Sequence, residues 1–247
     1  YGTYAINANA YCYYACSKAN PDVTVSDSEF VHLVEGIRLT PNQDDLGRLE
    51  VERSTFTDIT STAIHSAAAS TSVRASEFHT GGGQGMVLKD GSPVVESSLF
   101  DTDGGQALSV TGDVTGVALS GSDANEWVGT DRGSRVLRLD QASVPAGHTW
   151  TVPSSLDLVL VVTAVSVPGT LALSPGVTLK VIDAYPPGGL RVEPGGTLDV
   201  NGTAADPVRV TSYKDDSVGG DTNGDGPSVG HIGDYSTAIE IPIVDRY

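Results

Sequence analysis

The hexapeptide Val51-Glu-Arg-Ser-Thr-Phe56 belongs to a pattern, Val-x-x-Ser-x-Phe, that recurs through the first half of the chain. The steps between the Val positions of successive copies are 26, 22, 22 and 22 residues. A repeat this short cannot bury its own apolar face, so successive copies must stack on each other. The copies are Val25-Ser28-Phe30, Val51-Ser54-Phe56, Val73-Ser76-Phe78, Val95-Ser98-Phe100 and a degenerate fifth, Val117-Ser120-Ser122.

Each copy is followed by a second apolar position, which predicts a second strand in every repeat. In the first four copies this position is Ile37, Ile64, Met86 and Leu108. Polar or Gly-rich residues between the two, such as Thr60-Ser61-Thr62 and Thr80-Gly81-Gly82-Gly83, predict turns. The pattern therefore predicts an all-β fold, a single-stranded parallel β-helix with about 22 residues per coil. Equivalent side chains of neighbouring coils should stack about 4.8 Å apart as ladders of Val, Ser and Phe, with the Ser hydroxyls bonded to one another.

Two irregular coils interrupt the period. Residues 40–47 are predicted to be an inserted loop that lengthens the first interval. Residues 123–140 form a second irregular coil, in which Trp127 is expected in a loop and Val136-Leu137-Leu139 in the returning strand.

From about Val144 the pattern changes to apolar pairs that alternate between Pro-Gly turns, as in Val167-Pro-Gly169 and Ser174-Pro-Gly176. Period-two alternation between such turns indicates short strands. A β-sandwich is the competing architecture, but the 22-residue phase favours a solenoid. Residues 1–247 are thus predicted to be one continuous solenoid, with regular coils over 1–143 and Pro/Gly-turn coils over 144–247.

The net charge of −17, from 31 acidic and 14 basic residues, argues against nucleic acid, whose phosphates need Lys and Arg. It also argues against an anionic membrane surface. Strong acidity suits an extracellular protein, a divalent-cation binder or a chain from a salty habitat. No stretch approaches the roughly 18 apolar residues of a membrane helix, so no membrane insertion is expected.

The chain resembles the right-handed parallel β-helix repeat proteins of the pectate-lyase-like superfold, over about residues 22–234. The Val-x-x-Ser-x-Phe coils carry the likeness, and later phrases resemble a passage common in large secreted and cell-surface proteins of that class. These phrases are Leu171-Ala-Leu-Ser-Pro-Gly-Val-Thr-Leu-Lys180, Gly202-Thr-Ala-Ala-Asp-Pro207 and Thr211-Ser-Tyr-Lys-Asp-Asp-Ser-Val-Gly-Gly-Asp-Thr-Asn-Gly-Asp-Gly226.

The resemblance implies a fold that hosts lyases, hydrolases, adhesins and structural stalks, so it does not decide function. The sequence shows no nucleophile elbow, no phosphate loop and no metal spacing among its five histidines. We therefore expect a non-catalytic extracellular or cell-surface protein, either a rigid stalk, a filament-forming subunit or an adhesin. A polysaccharide lyase or glycoside hydrolase is the alternative, and a carbohydrate-binding module lies between the two.

The sharpest chemical motif is Asp221-Thr-Asn223-Gly-Asp225-Gly226, which matches the first half of an EF-hand-type calcium loop. Calcium prefers carboxylate and carbonyl oxygens, and Asp215, Asp216 and Asp234 are the nearby candidate ligands. The twelfth position is Ile232 rather than a bidentate Glu, and the flanks are not helical. The competing interpretation is an Asx- and Gly-rich turn with solvated carboxylates.

Two further sets of residues could carry covalent modifications. Cys12 and Cys16 could form a small local disulfide, which would imply an oxidising compartment, or remain buried free thiols. Asn201-Gly202-Thr203 is a glycosylation sequon in an accessible turn setting.

The two ends of the chain read as interrupted coils, Tyr1-Gly-Thr-Tyr-Ala-Ile6 at the start and Ile239-x-Ile241-x-Ile243 near the end. Open sheet ends pair readily unless they are capped. We therefore expect the solenoid to continue, either as part of a longer protein or by end-to-end self-association. A trimmed boundary is the competing explanation.

Overall fold

The computed structural model describes residues 4–9, 22–40, 47–68, 70–102, 104–119, 125–128, 135–154, 158–182, 188–235 and 237–242. They form a parallel β-solenoid of about seven turns with a spacing near 23 residues. This confirms the predicted fold class and the resemblance to parallel β-helix repeat proteins. The chain divides into two compact units, Tyr1–Leu108 with Val117–Thr130 and Ser109–Gly116 with Asp131–Tyr247. One continuous solenoid over 1–247 stays a prediction.

The strands, numbered in chain order, are β1 Tyr4–Asn9, β2 Val23–Ser26, β3 Glu29–Thr40, β4 Arg48–Glu52, β5 Thr55–Ser66, β6 Ser70–Arg74, β7 Glu77–His79, β8 Gln84–Gly91, β9 Val94–Glu96, β10 Leu99–Asp101, β11 Leu108–Val114, β12 Glu126–Val128, β13 Val136–Ser143, β14 Thr149–Val152, β15 Val159–Thr163, β16 Val165–Val167, β17 Thr170–Leu173, β18 Thr178–Val181, β19 Leu190–Val192, β20 Thr197–Val200, β21 Arg209–Ser212 and β22 Ile239–Glu240.

In the first unit, β2, β4, β6 and β9 form one parallel sheet, which carries the predicted Val ladder in register. β3 and β5 are long strands that pair with each other and continue over two further faces of the solenoid. The first part of β5 pairs with β7, and its last part pairs with β8. The turn predicted at Thr60-Ser61-Thr62 is wrong, because β5 runs through it and bends instead at Asp58, whose φ is +52°. The turn at Thr80-Gly81-Gly82-Gly83 is confirmed, since it separates β7 from β8.

The predicted Phe ladder is confirmed, and it continues one step further than the sequence suggested. The four Phe rings stack with centroids 4.6 to 5.0 Å apart and planes within 7° of parallel. Trp127 lies on β12 and stacks on Phe100 at 4.7 Å. The placement of Trp127 in a loop is therefore wrong, because its indole fills the next position of the apolar column.

A column of small residues makes room for these rings. A Cβ atom built on Gly36 would lie 2.9 Å from the Phe56 ring, and one built on Gly85 would lie 3.1 Å from the Phe100 ring. Both would also lie 2.5 Å from a carbonyl oxygen of the next coil. Glycine is therefore required at these positions by close approach rather than by backbone conformation.

The Ser ladder exists, but its hydroxyls do not bond to one another as expected. The hydroxyls of Ser54, Ser76 and Ser98 each accept the backbone N–H of the equivalent Ser one coil earlier, as in Ser54 N to Ser76 Oγ at 3.2 Å. Each also donates to the carbonyl two residues before it, as Ser76 does to Arg74 at 2.9 Å. The hydroxyl thus accepts a hydrogen bond from a buried backbone N–H that has no carbonyl partner in the neighbouring strand.

These bonds, from the backbone N–H of one Ser to the side chain one coil further on, form a relay along the coils. The last acceptor of the relay is an asparagine. Asn125 Oδ1 accepts the N–H of Ser98 at 3.0 Å, and Asn125 Nδ2 donates to the carbonyls of Val95 at 2.9 Å and Leu119 at 3.0 Å. The bridge between Val94 and Ala118 places Leu119 beside Val95. The degenerate copy starting at Val117 is therefore wrong, and the fifth rung is Leu119-Asn125-Trp127; Ser120 and Ser122 lie outside the described residues.

A left-handed residue precedes the relay Ser in each of the four Val-x-x-Ser-x-Phe coils. Their φ values are +47° to +52°, although none is glycine: Asp27, Arg53, Ala75 and Ser97. In three of them the N–H donates at 3.1 Å to a carbonyl of the next coil, as Ala75 does to Glu96. This single residue turns the chain from the Val sheet into the Phe sheet, and the bond to the next coil offsets its conformational cost.

In the second unit, β13, β15, β18 and β21 form one parallel sheet, β14, β17 and β20 a second, and β13, β16, β19 and β22 pair along a third face. Parallel strands of the solenoid are thus present in this part of the chain, and the division into regular and Pro/Gly-turn coils stays a prediction. Register neighbours such as Leu137, Leu160 and Leu179 are buried as one column. In the described part of the chain, no helix has the length and apolar character needed to cross a bilayer.

Replacing Ser76 by Ala should lower the free energy of unfolding by about 1–3 kcal/mol, because it removes the acceptor of the buried Ser54 N–H. Ser70→Ala is the matched control, since Ser70 is exposed, and we expect it to change stability by less than about 0.5 kcal/mol. Chemical denaturation measures both. Equal losses in the two variants would show that the hydroxyl relay does not stabilise the coils.

Candidate metal centre

The Asp-rich segment folds back over the sheet from which it emerges. We call residues 213–228 the Asp loop; it follows β21 directly. Its Gly219 lies against β15 and β18, so that a Cβ atom added there would lie 2.9 Å from Val159 Cγ2 and 3.3 Å from Thr178 Cγ2. Because Gly219 also has a φ of +74°, no other residue fits this position without displacing the loop.

The face of the sheet beneath the Asp loop is apolar and buried. Val136, Val159 and Val161 form a cluster there, with exposures of 0 to 5%, and Tyr213 packs against it. Leu160 and Val162, which alternate with them, are buried on the other face. β15 is thus covered on both sides, which accounts for its uninterrupted apolar sequence.

Lys180 lies on this covered face and is completely buried, with 0% of its side chain exposed. Its Nζ donates to the carbonyl of Gly220 at 2.6 Å and lies 3.9 Å from Asp216 Oδ1. Its register neighbours on the flanking strands are Val161 and Thr211. A buried ammonium requires compensation, and the Asp loop supplies both groups. Lys180 was not among the site residues predicted from the sequence; the apolar run Val159-Leu160-Val161-Val162 was the signal that something covers this face.

Three predicted ligands meet above this lysine. Asp216, Asp221 and Asp225 each offer a carboxylate oxygen, and these oxygens lie within 4.8 Å of one another. Both oxygens of Asp221 accept backbone N–H groups, from Gly224 at 2.7 Å and Gly226 at 3.0 Å, which fixes the orientation of the carboxylate. Three carboxylates at such separations repel each other unless a cation lies between them.

Oxygen atoms without hydrogen-bond partners accompany the cluster. Asp216 Oδ1 accepts no hydrogen bond, although only 9% of the side chain is exposed and its Oδ2 accepts two from Ser228. Asn223 Oδ1 and the Oγ1 of Thr222, which is 2% exposed, are also buried without partners. Unsatisfied buried oxygens cost free energy, and a bound cation would remove that cost here. Asn223 further donates to Asp225 at 2.8 Å.

Asp215 does not join the cluster. Its oxygens accept from the Ser217 hydroxyl and the Thr211 hydroxyl, both at 2.5 Å, and from the Ser217 N–H at 3.1 Å. The Ser217 hydroxyl, followed by that of Thr211, lowers the pKa of Asp215 from 3.8 to about 2. Asp215 therefore braces the start of the loop as a hydrogen-bonded carboxylate, which leaves it poorly available to a metal.

The remaining candidates are the glycosylation sequon and the pair of cysteines. Asn201 lies just after β20 and is exposed, so its glycosylation stays a prediction. Cys12 and Cys16 lie outside the described residues, and the disulfide stays a prediction as well.

No protein-family model, curated protein or solved structure matches this chain.

Asp215→Asn should lower stability at neutral pH and flatten its acid dependence. A carboxyl whose pKa is lowered on folding stabilises the protein above its unfolded value of 3.8 and loses that contribution as the pH falls towards about 2. Unfolding free energies measured between pH 7 and pH 2 should therefore differ between wild type and variant at pH 7 and converge near pH 2. A constant difference across this range would contradict the assignment.

Proposed function

We propose that the protein is a non-catalytic β-solenoid of a secreted or cell-surface protein, acting as a rigid stalk or filament segment, and that calcium braces its Asp loop. One observation carries the proposal: the carboxylate cluster of Asp216, Asp221 and Asp225, in which Asp216 Oδ1 is buried without a hydrogen-bond donor. The regular side chains of the coils are used in stacking, which favours a mechanical role over a catalytic one.

The oxygen-only set of donors favours calcium. Ca²⁺ takes six to eight oxygen ligands from carboxylates, side-chain amides, backbone carbonyls and water in flexible geometry, whereas Mg²⁺ demands a near-ideal octahedron. The Asp loop offers three carboxylates and the Asn223 amide oxygen. No sulfur or imidazole ligand accompanies this cluster in the described residues, which argues against a zinc site.

The weak calcium affinity expected of this loop favours an extracellular setting. A loop without the bidentate Glu of an EF-hand should bind weakly, and weak calcium modules with dissociation constants of about 10⁻⁴–10⁻³ M belong to extracellular proteins. An ion here would fasten a loop that covers the apolar cluster of Val136, Val159 and Val161. Its binding would thus stabilise the folded coils beneath.

The open edge of the second unit supports self-association. In the described part of the chain, β20, β21 and β22 each pair on one side only. Val200 and Val210 occupy positions next to the buried Leu173 and Leu179, yet they are 49% and 37% exposed. A further solenoid coil placed on this edge would bury them and complete the hydrogen bonds of the strands. We propose that a second copy of the chain supplies that coil.

Calcium should raise the melting temperature over that in EDTA, by an amount that grows with its concentration. Asp221→Asn with Asp225→Asn should abolish the rise, while the amide at position 221 keeps one of the two oxygen acceptors that serve the N–H groups of Gly224 and Gly226. Asp199→Asn, an exposed carboxylate on β20, is the matched control and should keep the full rise. Thermal denaturation followed by circular dichroism provides the readout. A wild-type protein that melts at the same temperature in calcium and in EDTA would exclude the calcium brace.

Val200→Lys with Val210→Lys should abolish end-to-end assembly, because a second copy would have to bury two ammonium groups that have no partners there. Asp199→Lys places the same charge on the other face of β20 and should leave assembly intact. Sedimentation velocity over a concentration series measures association, and electron microscopy shows whether the oligomers are linear. A wild-type protein that sediments as a monomer at all concentrations would refute self-association without bearing on the calcium site.

A further inference from the structure

The buried Lys180 lies next to the proposed ion site, and its charge changes what that site can bind. The cluster holds three carboxylates, from Asp216, Asp221 and Asp225, and one ammonium lies 3.9 Å from Asp216. Three negative charges and one positive charge sum to −2, which a single divalent cation neutralises. We propose that Lys180 is the internal cation of this site and sets its preference for a divalent over a trivalent ion. This inference rests on the proposed calcium site.

The position of Lys180 is fixed from below and from above. It lies on β18, between Val161 and Thr211 of the flanking strands, so no other charge of the sheet neighbours it in register. The Gly220 carbonyl accepts from Nζ at 2.6 Å. Since the side chain is 0% exposed, dissolved salt screens its charge only weakly, and its field reaches the loop above it.

Asp216 connects the lysine with the ion site. Its Oδ2 is engaged by the N–H of Ser228 at 2.7 Å and the hydroxyl of Ser228 at 2.9 Å. Its Oδ1 has no hydrogen-bond donor, lies 3.9 Å from Lys180 Nζ and belongs to a side chain that is more than nine-tenths buried. A carboxylate held in this way can serve the ammonium and a metal ion together.

Coulomb's law gives the size of the effect. The repulsion between Lys180 and a bound ion is proportional to the charge of the ion. Removing the lysine should therefore raise the logarithm of the affinity 1.5 times as much for a trivalent ion as for a divalent ion. Even with the dielectric constant of water, about 80, which sets the lower limit of the effect, removing a unit charge about 6 Å from the ion should raise calcium affinity at least about tenfold and Tb³⁺ affinity at least about thirtyfold.

The test titrates wild type, Lys180→Met and the matched control Lys214→Met with Tb³⁺, and then displaces Tb³⁺ with Ca²⁺. Lys214 is a suitable control because its side chain is 63% exposed and pairs with Asp234 outside the cluster. We expect Tyr213 to sensitise the terbium luminescence, because its hydroxyl donates to the Thr222 carbonyl within the loop at 3.1 Å. Lys180→Met should shift the preference towards Tb³⁺ at least about threefold, and Lys214→Met should leave it unchanged.

Charge-compensating variants keep the test decisive if Lys180→Met folds poorly. Asp216→Asn changes the sum to −1 and should weaken Tb³⁺ more than Ca²⁺. The double variant Lys180→Met/Asp216→Asn restores −2 and should restore the wild-type preference. An unchanged Tb³⁺ to Ca²⁺ ratio in Lys180→Met, or in Asp216→Asn where only that variant folds, overturns the inference and leaves the calcium site standing. A wild-type protein that binds neither ion refutes the calcium site itself.

Discussion

The coils of the first unit depend on one hydrogen bond, from the backbone N–H of each relay Ser to the side chain one coil further on. The chain leaves its strand at this point, so the N–H has no carbonyl opposite it, and burial forbids water as the partner. Only a short side chain that both accepts and donates can occupy the position. Ser76 and Asn125 both do so, and each thereby sets the register in which the Val and Phe columns align.

The period of the sequence was enough to predict the ladders of Val and Phe, because stacking repeats the same side chain at the same place. It did not reveal the fifth rung, where Leu119, Asn125 and Trp127 replace Val, Ser and Phe and the first two are separated by three additional residues. The fifth rung thus keeps the geometry of the other four, although it is built from different residues. The left-handed bend escaped prediction for a related reason: Arg53 and Ala75 carry it without the glycine or asparagine that signals such a backbone.

The metal motif identified residues that the structure brings together, but not what lies beneath them. Asp215 and Asp216 are neighbours in sequence with different roles, one saturated by the hydroxyls of Ser217 and Thr211 and the other facing the cluster. Lys180 lies forty residues before its partner Gly220, and strand alternation alone would have placed it in water. Such long-range contacts depend on where a loop folds, which local sequence patterns do not encode.

The Asp loop also changes how the second unit would respond to force. In a solenoid each coil contacts only its neighbours, so tension applied at an edge can peel the coils away one by one. The loop is anchored at the end of β21, is bonded to Lys180 on β18, rests on Val159 of β15 and packs its Tyr213 against the cluster to which Val136 of β13 belongs. Four successive strands are thus fastened by one segment. To detach one coil, the force must break these contacts together. The coils of the unit should therefore unfold cooperatively rather than one after another.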